Sequence, residues 1–183
     1  SEDCIGVLLR EREAAAAMVD YLVSLGHRRI AHIIGDPKHG GGVWRLAGFR
    51  DGMKRAGLQE EPAYVVQGRF SFESGVAATR QLLALRQRPT AIFAADDDMA
   101  TGAIWAAAEA GVAVPGDISI CGFDDTNIAT QVWPPLTTVP QPVREMGRRA
   151  TEELLLRVQD KGEARMVEVG YEMRIRASTA PPP

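Results

Sequence analysis

Long apolar runs are missing from this chain, and so is an excess of basic residues. No stretch is long enough to span a bilayer. A net charge of −3 over 183 residues offers no broad positive field for nucleic acid. Cysteine is scarce: the two, Cys4 and Cys121, lie far apart, each in an apolar run, so buried reduced thiols fit better than a disulfide. Only three histidines occur, His27, His32 and His39, and none accompanies a nucleophile motif such as G-x-S-x-G. The stretch HGGGVW (39–44) is followed by no Gly-Lys-Ser/Thr, which excludes a Walker loop. Three consecutive acids, Asp96 to Asp98, do not converge on one point and have no His or Cys beside them, which argues against a metal. The opening SEDCIGVLL lacks the basic start and long apolar core of a signal peptide. The expectation is a cytoplasmic protein with no membrane partner, no cofactor and no catalytic set.

What is there is an ordinary globular composition, 45% hydrophobic and 25% charged, with one unusually informative segment. Residues 89–125 read PTAIFAADDDMATGAIWAAAEAGVAVPGDISICGFDD. An apolar run ends in three carboxylates, an Ala-rich segment follows, and a second apolar run ends in Gly122-Phe123-Asp124-Asp125. That is strand, helix, strand, with acids at both strand exits. Parallel strands joined by a helix put both exits on one sheet edge, where open α/β sheets bind small molecules.

The same alternation runs through the chain. Strands are expected at 4–9, 29–34, 63–67, 90–95, 118–121 and 171–176, with a short extended run at 136–139. Helices are expected at 13–25, 43–56, 72–86, near 98–110, and at 143–158. Gly26 and Gly57 stop the first two, and Ser71 is placed to cap the third. Residues 35–42, rich in Gly and Pro, read as a loop. The fold class is therefore α/β, a parallel sheet flanked by helices on both faces, within a single domain.

Seven blocks occur in order: LVSLGHRRIAHIIG (22–35), WRLAGFRDGMKRAGL (44–58), GRFSFESG (68–75), PTAIFAADDDMATGA (89–103), VPGDISICGFDD (114–125), PPLTTVPQPVREMGRRA (134–150) and RIRASTA (174–180). Together they resemble the effector-binding domain of LacI/GalR transcriptional regulators. The resemblance implies a type I periplasmic-binding-protein-like fold, with two three-layer α/β/α lobes and a ligand cleft between them. It places residues of about 10–139 and 170–183 in the C-terminal lobe. Residues of about 1–9 and 140–169 match remnants of the N-terminal lobe. The family's DNA-binding headpiece, hinge helix and most of that lobe have no counterpart in the sequence. The implied function is allosteric control of operator binding by a small, sugar-like effector. The implied partners are a second copy, through the helix matching Met99–Ala110, and operator DNA through a headpiece outside this chain. A substrate-binding protein of a sugar ABC transporter shares the fold and is the alternative.

Five residues are candidate ligand contacts. Asp124 projects from the sheet edge and can accept two hydroxyl bonds; a turn cap is its competing role. Arg45 can fork onto hydroxyls or a carboxylate, or make a surface salt bridge. Phe70 can plate a sugar's C–H face or pack in the core. Asp96 departs from the family's usual Asn, trading a donor–acceptor for an acceptor. Gln141, at the crossing between lobes, can reach the cleft or bond to the crossover backbone. Asp97 is expected to cap the helix at 98–110. Arg10-Glu11 also departs from the family's common Asp-Asn, which alters the cleft rim.

Overall fold

Residues 6–159 and 166–183 are described by a computed structural model. The elements follow as β1 (Gly6–Leu9), α1 (Glu11–Ser24), β2 (Ile30–Ile34), α2 (Gly40–Arg55) and β3 (Val65–Gln67). They continue as α3 (Phe72–Leu83), β4 (Ala91–Ala94), α4 (Asp97–Glu109), β5 (Ser119–Cys121), α5 (Ile128–Gln131), α6 (Val143–Val158) and β6 (Met166–Val169). Four strands form one parallel sheet in the order β3-β2-β4-β5. A separate parallel pair joins β1 to β6, with Gly6 opposite Met166.

The period of two in each strand decides which residue meets which helix layer. Ile30, Ala91, Phe93 and Cys121 pack toward α1 and α2, among Ala15, Met18, Leu22, Phe49 and Met53. Their alternates Ala31, Ile33, Ile92, Ala94 and Ile120 pack toward α3 and α4, among Ala78, Leu82, Met99 and Ala103. Both faces are thus covered, as the alternating sequence implied. Glycine sets the closeness of the helix pairs at two points. A Cβ on Gly48 would collide with the carbonyl oxygen of Arg12 on α1, and one on Gly75 with that of Met99 on α4.

Local signals account for several boundaries. Ser71 caps α3 in a reciprocal box with Ser74, as its position suggested. Gly57, after α2, has a φ of 66°, which glycine takes without strain. The helix read at 143–158 is α6. Two expectations need correction. Residues 171–176 are not a strand: they make one antiparallel bridge, Thr138 to Arg174, because only that pair exchanges backbone bonds. The strand of this region is β6, held by β1. The glycines 40–42 are not an open loop either; they form the first turn of α2.

Beyond residue 176 the chain returns to the first sheet. Ile120 N–H donates to Ser178 O at 2.9 Å, and Ser178 Oγ donates to Ile120 O at 2.6 Å. Buried His27 bonds Thr90 Oγ1, Ser119 Oγ and Ala180 O. Cys121 is a buried free thiol, and Cys4 lies outside the described residues. Among the described residues no helix is long and apolar enough to cross a membrane.

Candidate functional site

The ends of β2, β4 and β5 lie along one sheet edge, and the segments leaving them carry Arg45, Asp96 and Asp124. Arg45 stands on the second turn of α2, where its side chain is only 4% exposed. Nη1 donates to Ala95 O at 2.5 Å. Nη2 donates to Asp124 Oδ1 at 2.9 Å and to Glu11 Oε1 at 3.2 Å. The guanidinium carbon sits 3.9 Å from the centroid of the Phe123 ring, a cation–π contact shielded from water. Gln141 Nε2 donates to the same Asp124 oxygen at 2.8 Å. Three sequence-predicted residues, Arg45, Asp124 and Gln141, therefore meet on one carboxylate. They are 79 and 17 residues from Asp124 in sequence, so only the fold assembles them. Asp124 Oδ2 has no protein donor among the described residues.

Asp124 is held in a conformation that side chains rarely adopt. Its φ is 105°, and Asp125 follows at 51°. Such residues cost energy and persist where the surroundings over-determine them. Here Asp124 N–H donates to Val139 O at 2.8 Å, and Gln141 N–H donates to Asp124 O at 3.1 Å. Asp97 holds the turn from the other side. Its Oδ2 accepts Thr126 N–H at 2.7 Å, and its Oδ1 accepts the Thr138 hydroxyl at 2.6 Å. The expected cap role of Asp97 is thus corrected: Asp96 caps α4, accepting Met99 N–H at 2.8 Å, because the helix begins one residue earlier than the sequence suggested. Asp125 pairs with Arg176 at 2.7 Å, away from this cluster.

Burial sets the electrostatics of this edge. Asp96, 6% exposed, is pushed up to about 7 by burial, with Asp124 and Asp98 adding to the effect and Met99 N–H opposing it. Burial also lifts Asp97 to about 6, against the Thr138 and Thr126 bonds. Asp124 is raised by burial and pulled back by Arg45 and Gln141. Carboxyls outnumber the single guanidinium, so this edge favours hydrogen-bond donors and holds protons tightly.

Phe70 stands apart from these contacts. Its backbone is left-handed, with φ 56°, and its ring lies over Gly35, so close that a Cβ there would collide with it. The edge of the ring meets His39 at a centroid separation of 5.7 Å. Phe70 is half-buried against the α3–α4 core, which the packing reading described, and nothing places it on the Arg45–Asp124 cluster.

Two contributors were under-read in the sequence. In sequence Glu11 signals only an altered rim, yet in the structure it is bonded to Arg45. Phe123 sits between the two named features of GFDD, and its alternation with Cys121 signals that it faces the α1–α2 layer. Two buried polar atoms here lack a protein partner, Glu11 Oε2 and Arg45 Nε.

A family model described as a periplasmic binding protein-like domain matches residues 19–179. The chain is 45% identical over 163 residues to the HTH-type transcriptional regulator DegA of Bacillus subtilis (strain 168), covering 88% of this chain and 48% of that one. Among solved structures it is similar to a complex of the transcriptional regulator CelR with cellobiose. That match has 33% identity and a TM-score of 0.91, covering 97% of this chain and 54% of that one. It is also similar to a dimeric Lac repressor with an 11-residue C-terminal deletion, at 32% identity and a TM-score of 0.91, covering 97% and 64%. The chain spans about half the length of the curated relatives it matches.

Proposed function

The chain belongs to the periplasmic binding protein-like domain family, within its LacI/GalR regulators, and we propose that it senses a small-molecule effector for a DNA-binding transcriptional regulator. The observation that carries this reading is the convergence of Arg45, Gln141 and Asp124 at the carboxyl edge of a parallel sheet, on a strained turn. Asp124 keeps an oxygen for a ligand donor, and Asp96 lies within electrostatic reach. Residues of about 10–139 and 170–183 form the C-terminal lobe in this reading. Residues of about 1–9 and 140–169, which include the β1–β6 pair and α6, belong to a second lobe. The ligand is a sugar or sugar derivative; a cellobiose complex of a similar regulator supports that class. Gln141 sits at the crossing between lobes and contacts Asp124, so lobe closure and ligand contact share a residue. A ligand drives closure only through better binding to the closed state. Binding without turnover, a homodimer and control of operator DNA in the cytoplasm complete the proposal. The regulatory reading outranks the transport alternative because the relatives are transcriptional regulators.

The test is a thermal-shift screen of sugars, sugar acids and nucleosides on the full-length protein, with Asp124→Ala as control. A ligand at about a hundred times its Kd stabilises by about 2.7 kcal/mol, which raises the melting point by roughly 5–10 °C. The expected result is a hit whose shift disappears in Asp124→Ala. A hit that Asp124→Ala retains would move the site elsewhere.

A further inference from the structure

Arg45 is already committed within the protein. Of its N–H groups, Nη1 is taken by Ala95 O, and Nη2 is shared between Asp124 and Glu11. Guanidinium recognises carboxylate and phosphate by presenting two parallel N–H groups to one anion. Here that fork is occupied from inside. Glu11 is no loose surface acid: its side chain is 17% exposed. It opens α1, and a Cβ on Gly41 in the first turn of α2 would lie 3.1 Å from Glu11 Oε2. Two helix starts therefore seat this carboxylate against Arg45. The result is two carboxylates on one cation, with Asp96 adding a third acid to the same field. An incoming anion would meet like charge and find no free fork. An incoming hydroxyl or ammonium would find Asp124 Oδ2, which accepts no hydrogen bond among the described residues, while Glu11 Oε2 is buried and unpaired.

We infer that Glu11 is a specificity-determining residue, which occupies the fork of Arg45 and makes this wall select uncharged or cationic donor-rich ligands over anionic ones. The inference rests on the proposed effector site. Exchanging Glu11 for alanine frees one N–H of Nη2, while Asp124 continues to hold the guanidinium through the other. The sequence anticipated only that position 11 alters the rim; the contact with Arg45 gives that change a direction.

The experiment is isothermal titration of inorganic phosphate into the full-length protein, comparing wild type, Glu11→Gln and Glu11→Ala, with folding checked by circular dichroism. Wild type is expected to show no saturable phosphate binding. Glu11→Ala is expected to gain it, about tenfold or more above any residual wild-type binding, as one charge-assisted contact allows, whereas Glu11→Gln, whose amide oxygen can still accept from Nη2, should gain less. Adding Arg45→Lys to Glu11→Ala should weaken that gain, since Lys lacks the fork. Phosphate binding by wild type that Arg45→Lys weakens would overturn the inference. So would a folded Glu11→Ala variant that gains no phosphate affinity. The effector-site reading fails separately, through a screened ligand that Asp124→Ala still binds. A ligand lost in Asp124→Ala with no anion gain in Glu11→Ala sinks the Glu11 inference alone.

Discussion

Replacing Asp96 by Asn should make the protein more stable at mildly alkaline pH and leave it unchanged in acid. Folding buries this carboxyl to 6% exposure beside Asp124 and Asp98, and lifts its pKa from an ordinary 3.8 to about 7. The sign follows from linkage. A group whose folded pKa is raised contributes stability that is fully present below about pH 4 and is lost as pH rises through about 7. At about 1.4 kcal/mol per tenfold change in proton affinity, the ionised group costs about 4 kcal/mol at about pH 8. Asparagine carries no charge and caps a helix about as well, accepting Met99 N–H through its carbonyl oxygen. It forfeits the attraction between a carboxylate and the start of α4, about 0.5–1 kcal/mol. The expected net gain is about 3 kcal/mol at about pH 8, or roughly 6–12 °C in melting point. Asp97 and Asp124 titrate in both proteins, so the informative quantity is the difference between the two pH profiles. Melting curves from about pH 4.5 to about pH 8.5 would supply it. Parallel profiles, or an Asn variant that is the weaker one in alkali, would refute burial as the cause.

Two further substitutions probe the frame around the site. Gly122→Ala places a Cβ 2.5 Å from Asp97 Oδ1 and 3.0 Å from Leu136, against an acid already pinned by Thr126 and Thr138. It should cost about 2–3 kcal/mol in chemical denaturation, and a loss under half of that would show the pinning to be soft. His27→Ala removes the bonds to Thr90, Ser119 and Ala180. About 2–4 kcal/mol of stability and the protection of residues 178–180 from hydrogen exchange should go with them; unchanged exchange there would mean that the tail is held by Ser178 alone.

Much of this architecture was legible because burial on both sheet faces leaves a strong pattern. The run AIFA is apolar throughout, IAHII is apolar but for the buried His32, and the helix at 143–158 carries its own charge periodicity. The misreadings have local causes. Three glycines in a row at 40–42 have poor helix propensity and read as a loop, yet tertiary packing overrides propensity there. A Cβ on Gly42 would lie 2.9 Å from Asp36 O, so the residue type serves a close approach. The β6 strand MVEV is short, and its partner β1 is some 160 residues away, a pairing no local window reports. Among three consecutive acids, a one-residue error in the helix start moved the cap from Asp96 to Asp97. Arg45, Asp124 and Gln141 were found as types at strand exits, but their meeting on one oxygen depends on the left-handed turn at Asp124, which a non-glycine residue does not announce.

That turn and the surplus of acid belong to one physical problem. A left-handed Asp124 costs on the order of 1–3 kcal/mol, and it persists because Val139, Gln141 and Asp97 fix the backbone around it. The gain is a carboxylate aimed where Arg45 can hold one oxygen and leave the other open. The edge is rich in acid: Glu11 and Asp124 share Arg45, and Asp96 holds its proton unusually late. Under the proposed function a donor-rich ligand would supply what this edge lacks, hydrogen-bond donors for buried oxygens. The differential affinity that closes the lobes would then come from supplying donors to this acid-rich wall, with Gln141 conveying the change because it bonds to Asp124 and begins the segment leading into α6.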